Sequence, residues 1–133
     1  MGYSIQVFGN RAENFHDLDL IALTGLMSER VQEHPEKFCE VSPIVGGWVR
    51  DLAGYGPGAI DLKLDAVISS EPVAKGLETL LSEVADRIVS FGTAIPASFL
   101  NARCRAPGVI FANFPSASLL EALDRFRALV FPG

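Results

Sequence analysis

Val73, Leu77, Leu81, Val84 and Ile88 recur at spacings of three and four residues. That interval keeps side chains on one face of an α-helix, so the stretch predicts an amphipathic helix with a long stripe to bury. Ser70 is placed to cap it, and Pro72 sits in its first turn. Glu83 and Arg87 read as an i,i+4 pair on its solvent side. Such a helix needs a surface to pack on. A chain of 133 residues, 49% of them apolar and 20% charged, can provide one from its own core. We therefore expect one globular domain over residues 1–133.

The rest of the chain alternates strand-like and helix-like stretches. Tyr3, Ile5 and Val7 alternate with Ser4 and Gln6, a first strand ending at Gly9-Asn10. Asp17 is placed to cap a helix running to about His34, where Pro35 stops it. Gly25 inside that helix costs roughly 1 kcal/mol relative to alanine unless it permits close packing. "KFCEVSPIV" reads as a second strand, or Ser42-Pro43 as the start of a helix. "GWVRDLAG" reads as a short helix closed by Gly54, and an irregular loop with Tyr55 at its tip follows. Ile60, Leu62, Leu64 and Val67 mark a strand, with Asp61, Lys63 and Asp65 on its other face. A short helix is expected from Pro96, and "VIFANF" is apolar enough for a central strand. Ser118-Leu-Leu-Glu121 has the form of a capping box opening a last helix. The expected fold is α/β or α+β, with a small mixed sheet of about four strands, at least partly parallel, packed by three to four helices.

Several classes are disfavoured. The apolar stretch from Leu18 to Met27 is too short to span a bilayer, which needs about 20 residues. The opening "MGYSIQVFGN" lacks the basic and apolar regions of a secretory signal, so a cytoplasmic location is expected. Cys39 and Cys104 lie far apart without metal-ligand spacing, and neither a metal nor a cofactor is implied. His16 and His34 bracket one helix, about 27 Å apart along its axis, and cannot share a catalytic site.

The net charge is −5, and its placement is uneven. Residues 1–66 hold ten acids against five bases, whereas residues 67–133 hold six of each. An acidic face repels phosphate backbones, which argues against direct nucleic-acid contact, and it attracts a basic protein.

"PIVGGWVRDLAG" followed by "IDLKLDAV" resembles the nucleotidyltransferase head of the CCA-adding and poly(A) polymerase family. The resemblance implies a strand leading to Gly-Gly, a short helix with Val-Arg-Asp, and a strand bearing Asp-x-Asp for magnesium. Gly46, Gly47, Val49, Arg50 and Asp51 fit the first part. The second departs from it, because Lys63 stands two residues after Asp61. Asp65 lies four residues from Asp61, about 13 Å along a strand, whereas paired metal ions sit about 3.5–4 Å apart. A nucleotidyltransferase-like or degenerate nucleotide-binding enzyme using Gly46-Gly47 and Asp61 is thus the alternative reading.

The leading reading is a non-enzymatic acidic module that binds a basic protein partner. Its candidate contacts are Asp17, Asp19, Glu29, Glu33, Glu36 and Glu40, with Trp48 and Tyr55 as aromatic anchors. In size, acidity and lack of a catalytic set the chain resembles the cytoplasmic immunity proteins, antitoxins that occlude basic nuclease toxins. A third reading is a structural subunit that oligomerises through Trp48, Tyr55 or the C-terminal "LVFPG".

Overall fold

The alternation at the start of the chain forms a strand, but one paired with a neighbour that the pattern does not announce. A computed structural model of the chain describes residues 2–54, 60–104, 106 and 108–132. In it β1 (Tyr3–Phe8) runs antiparallel to β2 (Arg11–His16), with Phe8 opposite Arg11. The connection is the two-residue turn Gly9-Asn10. Gly9 has φ of 61°, the left-handed conformation that favours glycine at the first central position of such a hairpin.

The remaining elements, in order, are α1 (Asp17–Glu33), α2 (Ser42–Leu52), α3 (Leu64–Val67) and α4 (Glu71–Ser90). After them come β3 (Ala94–Ile95), α5 (Ala97–Arg103), β4 (Phe114–Pro115) and α6 (Ser116–Val130). Helix α1 is central, touching α2, α4, α5, α6 and β2. That explains why Leu20 to Met27 are buried on every side of the helix. Each large apolar side chain enclosed there contributes about 1.5–3 kcal/mol. Thr24, the polar member of that run, is satisfied by donating to the Leu20 and Ile21 carbonyls. Gly25 is the close-packing glycine: a Cβ on it would collide with the Cys104 Sγ at the end of α5. The helix is capped by His16, whose Nδ1 accepts the Leu18 N–H at 3.1 Å, rather than by Asp17.

Helix α4 matches its stripe, with Leu77, Leu81, Val84 and Ile88 buried and Ser70 accepting the Val73 N–H. Glu83 and Arg87, however, do not pair with each other. Arg30 donates to Glu83 at 2.7 Å, Lys37 joins it, and Arg87 donates to Glu29 at 3.0 Å. Partners on and beyond α1 are better placed than the neighbour one turn away, so these charges tie α4 to α1.

The single mixed sheet is corrected. The described residues form two separate antiparallel pairs, β1 with β2 and β3 with β4. "KFCEVSPIV" turns at Phe38–Val41 and then opens α2, with Pro43 in its first turn. The stretch from Ile60 shows the expected alternation, Ile60, Leu62 and Leu64 buried and Asp61, Lys63 and Asp65 exposed, yet it is no strand. Its backbone partners are side chains: Gln6 donates to the Ile60 carbonyl at 2.8 Å and accepts the Leu62 N–H at 2.9 Å. "VIFANF" behaves alike. Asn101 accepts the Phe111 N–H at 2.6 Å and donates to the Phe111 carbonyl at 3.0 Å. A side-chain amide carries the same donor and acceptor as a peptide group, so it satisfies buried backbone where a strand neighbour is expected. Helix α6 begins at Ser116, two residues before the supposed capping box, and has no side-chain cap.

Candidate functional site

The hairpin is inside out. Ser4 and Gln6 point inward and are buried, while Tyr3, Ile5 and Val7 are 61, 65 and 49% exposed. The buried polar pair is fully engaged. Ser4 donates to Asp17 at 2.6 Å and accepts the Ile60 N–H at 3.1 Å, and Gln6 holds Ile60 and Leu62. Hydrogen bonding thus fixes the facing of β1, and the apolar residues are left outside.

The same register determines which backbone groups are unused. In a hairpin closed by Phe8 and Arg11, residues 4, 6 and 8 exchange hydrogen bonds with β2. The N–H and C=O of Tyr3, Ile5 and Val7 therefore point away from β2, along the outer edge. That edge opens on a groove of about 630 Å³ whose other wall is Ile60, Leu64 and the exposed Asp61, Lys63 and Asp65. Asp65 accepts the Gly9 N–H at 2.9 Å, which ties this wall to the hairpin turn. Lys63 is held at φ of 53°, the single positive-φ non-glycine among the described residues, and its N–H is accepted by Asp61 at 2.9 Å.

Beyond Tyr3 lies a pocket of about 510 Å³. Five elements converge on it: β1 through Tyr3, the end of β2 through His16, the first turn of α1 through Asp19, β4 through Phe114 and Pro115, and α6 through Ser118, Glu121 and Arg125. Phe111 and Phe114 give it an apolar wall, and the Tyr3 ring packs edge-on to His16 at 4.9 Å. Burial raises the Asp19 carboxyl above its ordinary value, opposed by His16 and Arg125 and reinforced by Glu121. His16 accepts the Leu18 N–H through Nδ1, which fixes the orientation of its ring. Arg125 donates to Glu13 at 3.1 Å and to the Asn14 carbonyl at 2.9 Å.

The acids expected on one surface are divided by the fold. Asp17 is buried against Ser4, and Glu29 is buried between Arg87 and Arg103, whose guanidiniums lie over Phe99. Both are buried rather than displayed on the surface. Asp19 is half-buried in the pocket, and Glu33, Glu36 and Glu40 remain exposed. Trp48 is core rather than an anchor, buried with its Nε1 donating to the Leu62 carbonyl at 2.8 Å. Tyr55 lies outside the described residues.

The transferase resemblance does not carry over to the backbone. Gly46 and Gly47 sit inside α2, so their N–H groups belong to the helix and cannot cradle a phosphate. Asp61 precedes a left-handed turn and α3 instead of standing on a strand. Among the described residues no group of three or more His, Cys, Asp or Glu could hold a metal ion, and no helix is long and apolar enough to cross a membrane.

His16, Glu121 and Arg125, with Asn113 also lining the pocket, were not legible as a set, because they come from distant parts of the chain. One local signal did exist. The Ser118-x-x-Glu121 spacing, read as a helix cap, places both side chains on one face of α6 toward the pocket. Comparison with protein-family models, with curated proteins and with solved structures finds no match.

Proposed function

We propose that this chain is a protein-binding module that receives an extended, basic segment of a partner as an added strand on β1. The observation that carries the reading is the row of Tyr3, Ile5 and Val7, apolar and exposed along an edge whose backbone groups have no partner among the described residues. Strand addition supplies main-chain hydrogen bonds, and alternate side chains supply specificity. The segment is basic because the groove wall carries Asp61 and Asp65 against Lys63, within a chain of net charge −5. Acidity of that kind also speeds encounter with a basic protein. In this reading the protein works in the cytoplasm as an immunity or antitoxin type of inhibitor, covering a basic, nuclease-like domain. The support for that finer role is size and charge.

The test is a titration of the whole chain with a short peptide alternating valine and lysine, beside one alternating valine and glutamate. Val7→Pro removes one outward N–H and leaves the bonds between β1 and β2 intact, since proline is tolerated at such edges. The lysine peptide should bind in a salt-dependent manner and lose at least about tenfold, roughly 1.4 kcal/mol, on Val7→Pro. Equal binding by the variant would refute strand addition. Self-association of the chain at micromolar concentration, abolished by Val7→Pro, would replace the basic partner with a second copy.

A further inference from the structure

The pocket beyond Tyr3 carries a second assignment, independent of strand addition at β1. Its two carboxylates, Asp19 on α1 and Glu121 on α6, have no hydrogen-bond or ion-pair partner among the described residues. The cation in the lining, Arg125, is partly engaged: its Nη1 donates to Glu13 and to the Asn14 carbonyl and its guanidinium lies over the Phe15 ring at 5.0 Å, while its buried Nε has no partner among the described residues. The Nδ1 of His16 is occupied by the Leu18 N–H it accepts. The lining thus carries two carboxylates, and the charge of Arg125 that offsets them is shared with Glu13. In the same lining Phe111 and Phe114 stand 6.3 Å apart between ring centroids, and aromatic faces attract cations as well as apolar groups. A volume of about 510 Å³ is in the range of small-ligand pockets.

We infer that this pocket binds an ammonium or guanidinium group carried on an apolar stem. The cation lies between Asp19 and Glu121, and the stem lies against Phe111 and Phe114. A free amine and a lysine or arginine side chain of a docked protein share this chemistry. An anionic ligand would meet both carboxylates, and a neutral one would leave them unanswered.

The probe is 2-phenylethylammonium, titrated into the whole chain and followed by the NMR signals of the Phe111, Phe114 and His16 rings. Its neutral and anionic counterparts are 2-phenylethanol and 3-phenylpropionate. The ammonium should bind most tightly of the three, and Asp19→Asn should weaken it at least about tenfold, with Glu121→Gln acting in the same direction. Emission of the buried Trp48 checks that both variants fold. Equal binding of the alcohol would reduce the pocket to an apolar recess and overturn the inference. Preferred binding of the carboxylate, drawn to the uncapped start of α6, would overturn it as well. Val7→Pro should leave amine binding unchanged, which separates failure here from failure of the strand-addition reading. Displacement of the lysine peptide by the amine assigns the pocket to a partner's basic side chain. Simultaneous binding of both assigns it to a free amine.

Discussion

The N–H of Leu62 donates to Oε1 of Gln6 at 2.9 Å, across 56 residues of chain. One side-chain amide of β1 thereby takes the place of a neighbouring strand for the Ile60–Leu62 segment. Gln6→Leu keeps the volume and leaves a buried carbonyl and a buried N–H unpaired. The expected cost is about 2–6 kcal/mol, from about 1–3 kcal/mol for each orphaned group. Urea denaturation followed by Trp48 emission measures it, and a loss below about 0.5 kcal/mol would show that water replaces the amide.

Gly25 and Cys104 form a second such pair, joined by sterics. Gly25→Ala should destabilise the chain by about 1–3 kcal/mol despite the better helix propensity of alanine. Adding Cys104→Ala removes the obstructing sulfur and should recover part of that loss. A double-mutant cycle in urea gives the coupling, and additive effects would contradict the collision.

Cys104 is buried, and burial, with Glu29 nearby, pushes its thiol up to about 12. Cys39 is exposed. Iodoacetamide near pH 8 should modify Cys39 in the native chain and reach Cys104 only after unfolding, as mass spectrometry of the labelled peptides would show. The linkage has a definite sign. The folded thiol pKa lies above its ordinary value of 9.0, so this contribution to stability is complete below pH 9 and is lost as pH rises toward about 12.

Asp19 follows the same sign at the acidic end. It faces Tyr3 of β1, His16 of β2, and Glu121 and Arg125 of α6, and burial raises its carboxyl above the unfolded value. Its contribution is therefore present below the ordinary carboxylate range and is lost as pH rises. Asp19→Asn should be more stable than the parent at pH 7, with the difference shrinking as Asp19 is protonated in both states. Urea midpoints of the two proteins across pH 3 to 7 test it, and a parent that is more stable at neutrality would reverse the assignment.

Lys63 is held in the left-handed region, which costs an L-residue roughly 1–2 kcal/mol. Glycine has no such penalty but more freedom when unfolded. Lys63→Gly should stabilise the chain by up to about 1 kcal/mol while Lys63→Ala should not, and thermal unfolding of both variants distinguishes them.

The parts of the fold legible in the sequence are those where apolar spacing and backbone agree. The α4 stripe from Leu77 to Ile88 and its Ser70 cap follow from periodicity, as does the close packing asked of Gly25. The strand at residues 60–67 was misread for a physical reason. Alternation reports which side chains are buried, and Ile60, Leu62 and Leu64 are buried as expected. It says nothing about what satisfies the backbone, and here Gln6 does so from a distant part of the chain. The candidate site was opaque for a related reason. Polar residues inward and apolar residues outward on β1 reverse the usual facing, and only the bonds from Ser4 and Gln6 to Asp17, Ile60 and Leu62 determine it. Charge was legible as a total but not as a surface, since Glu29 is consumed by Arg87 and Arg103.

The Leu62 peptide is gripped from both sides, its N–H by Gln6 and its carbonyl by the Trp48 indole. The wall of the groove is therefore anchored to the core at one residue before anything docks. Under the proposed strand addition, that stretch has little conformational freedom to surrender, so the entropic cost of association would fall mainly on the incoming chain. A rigid partner segment should then bind more tightly than a loose one of identical composition.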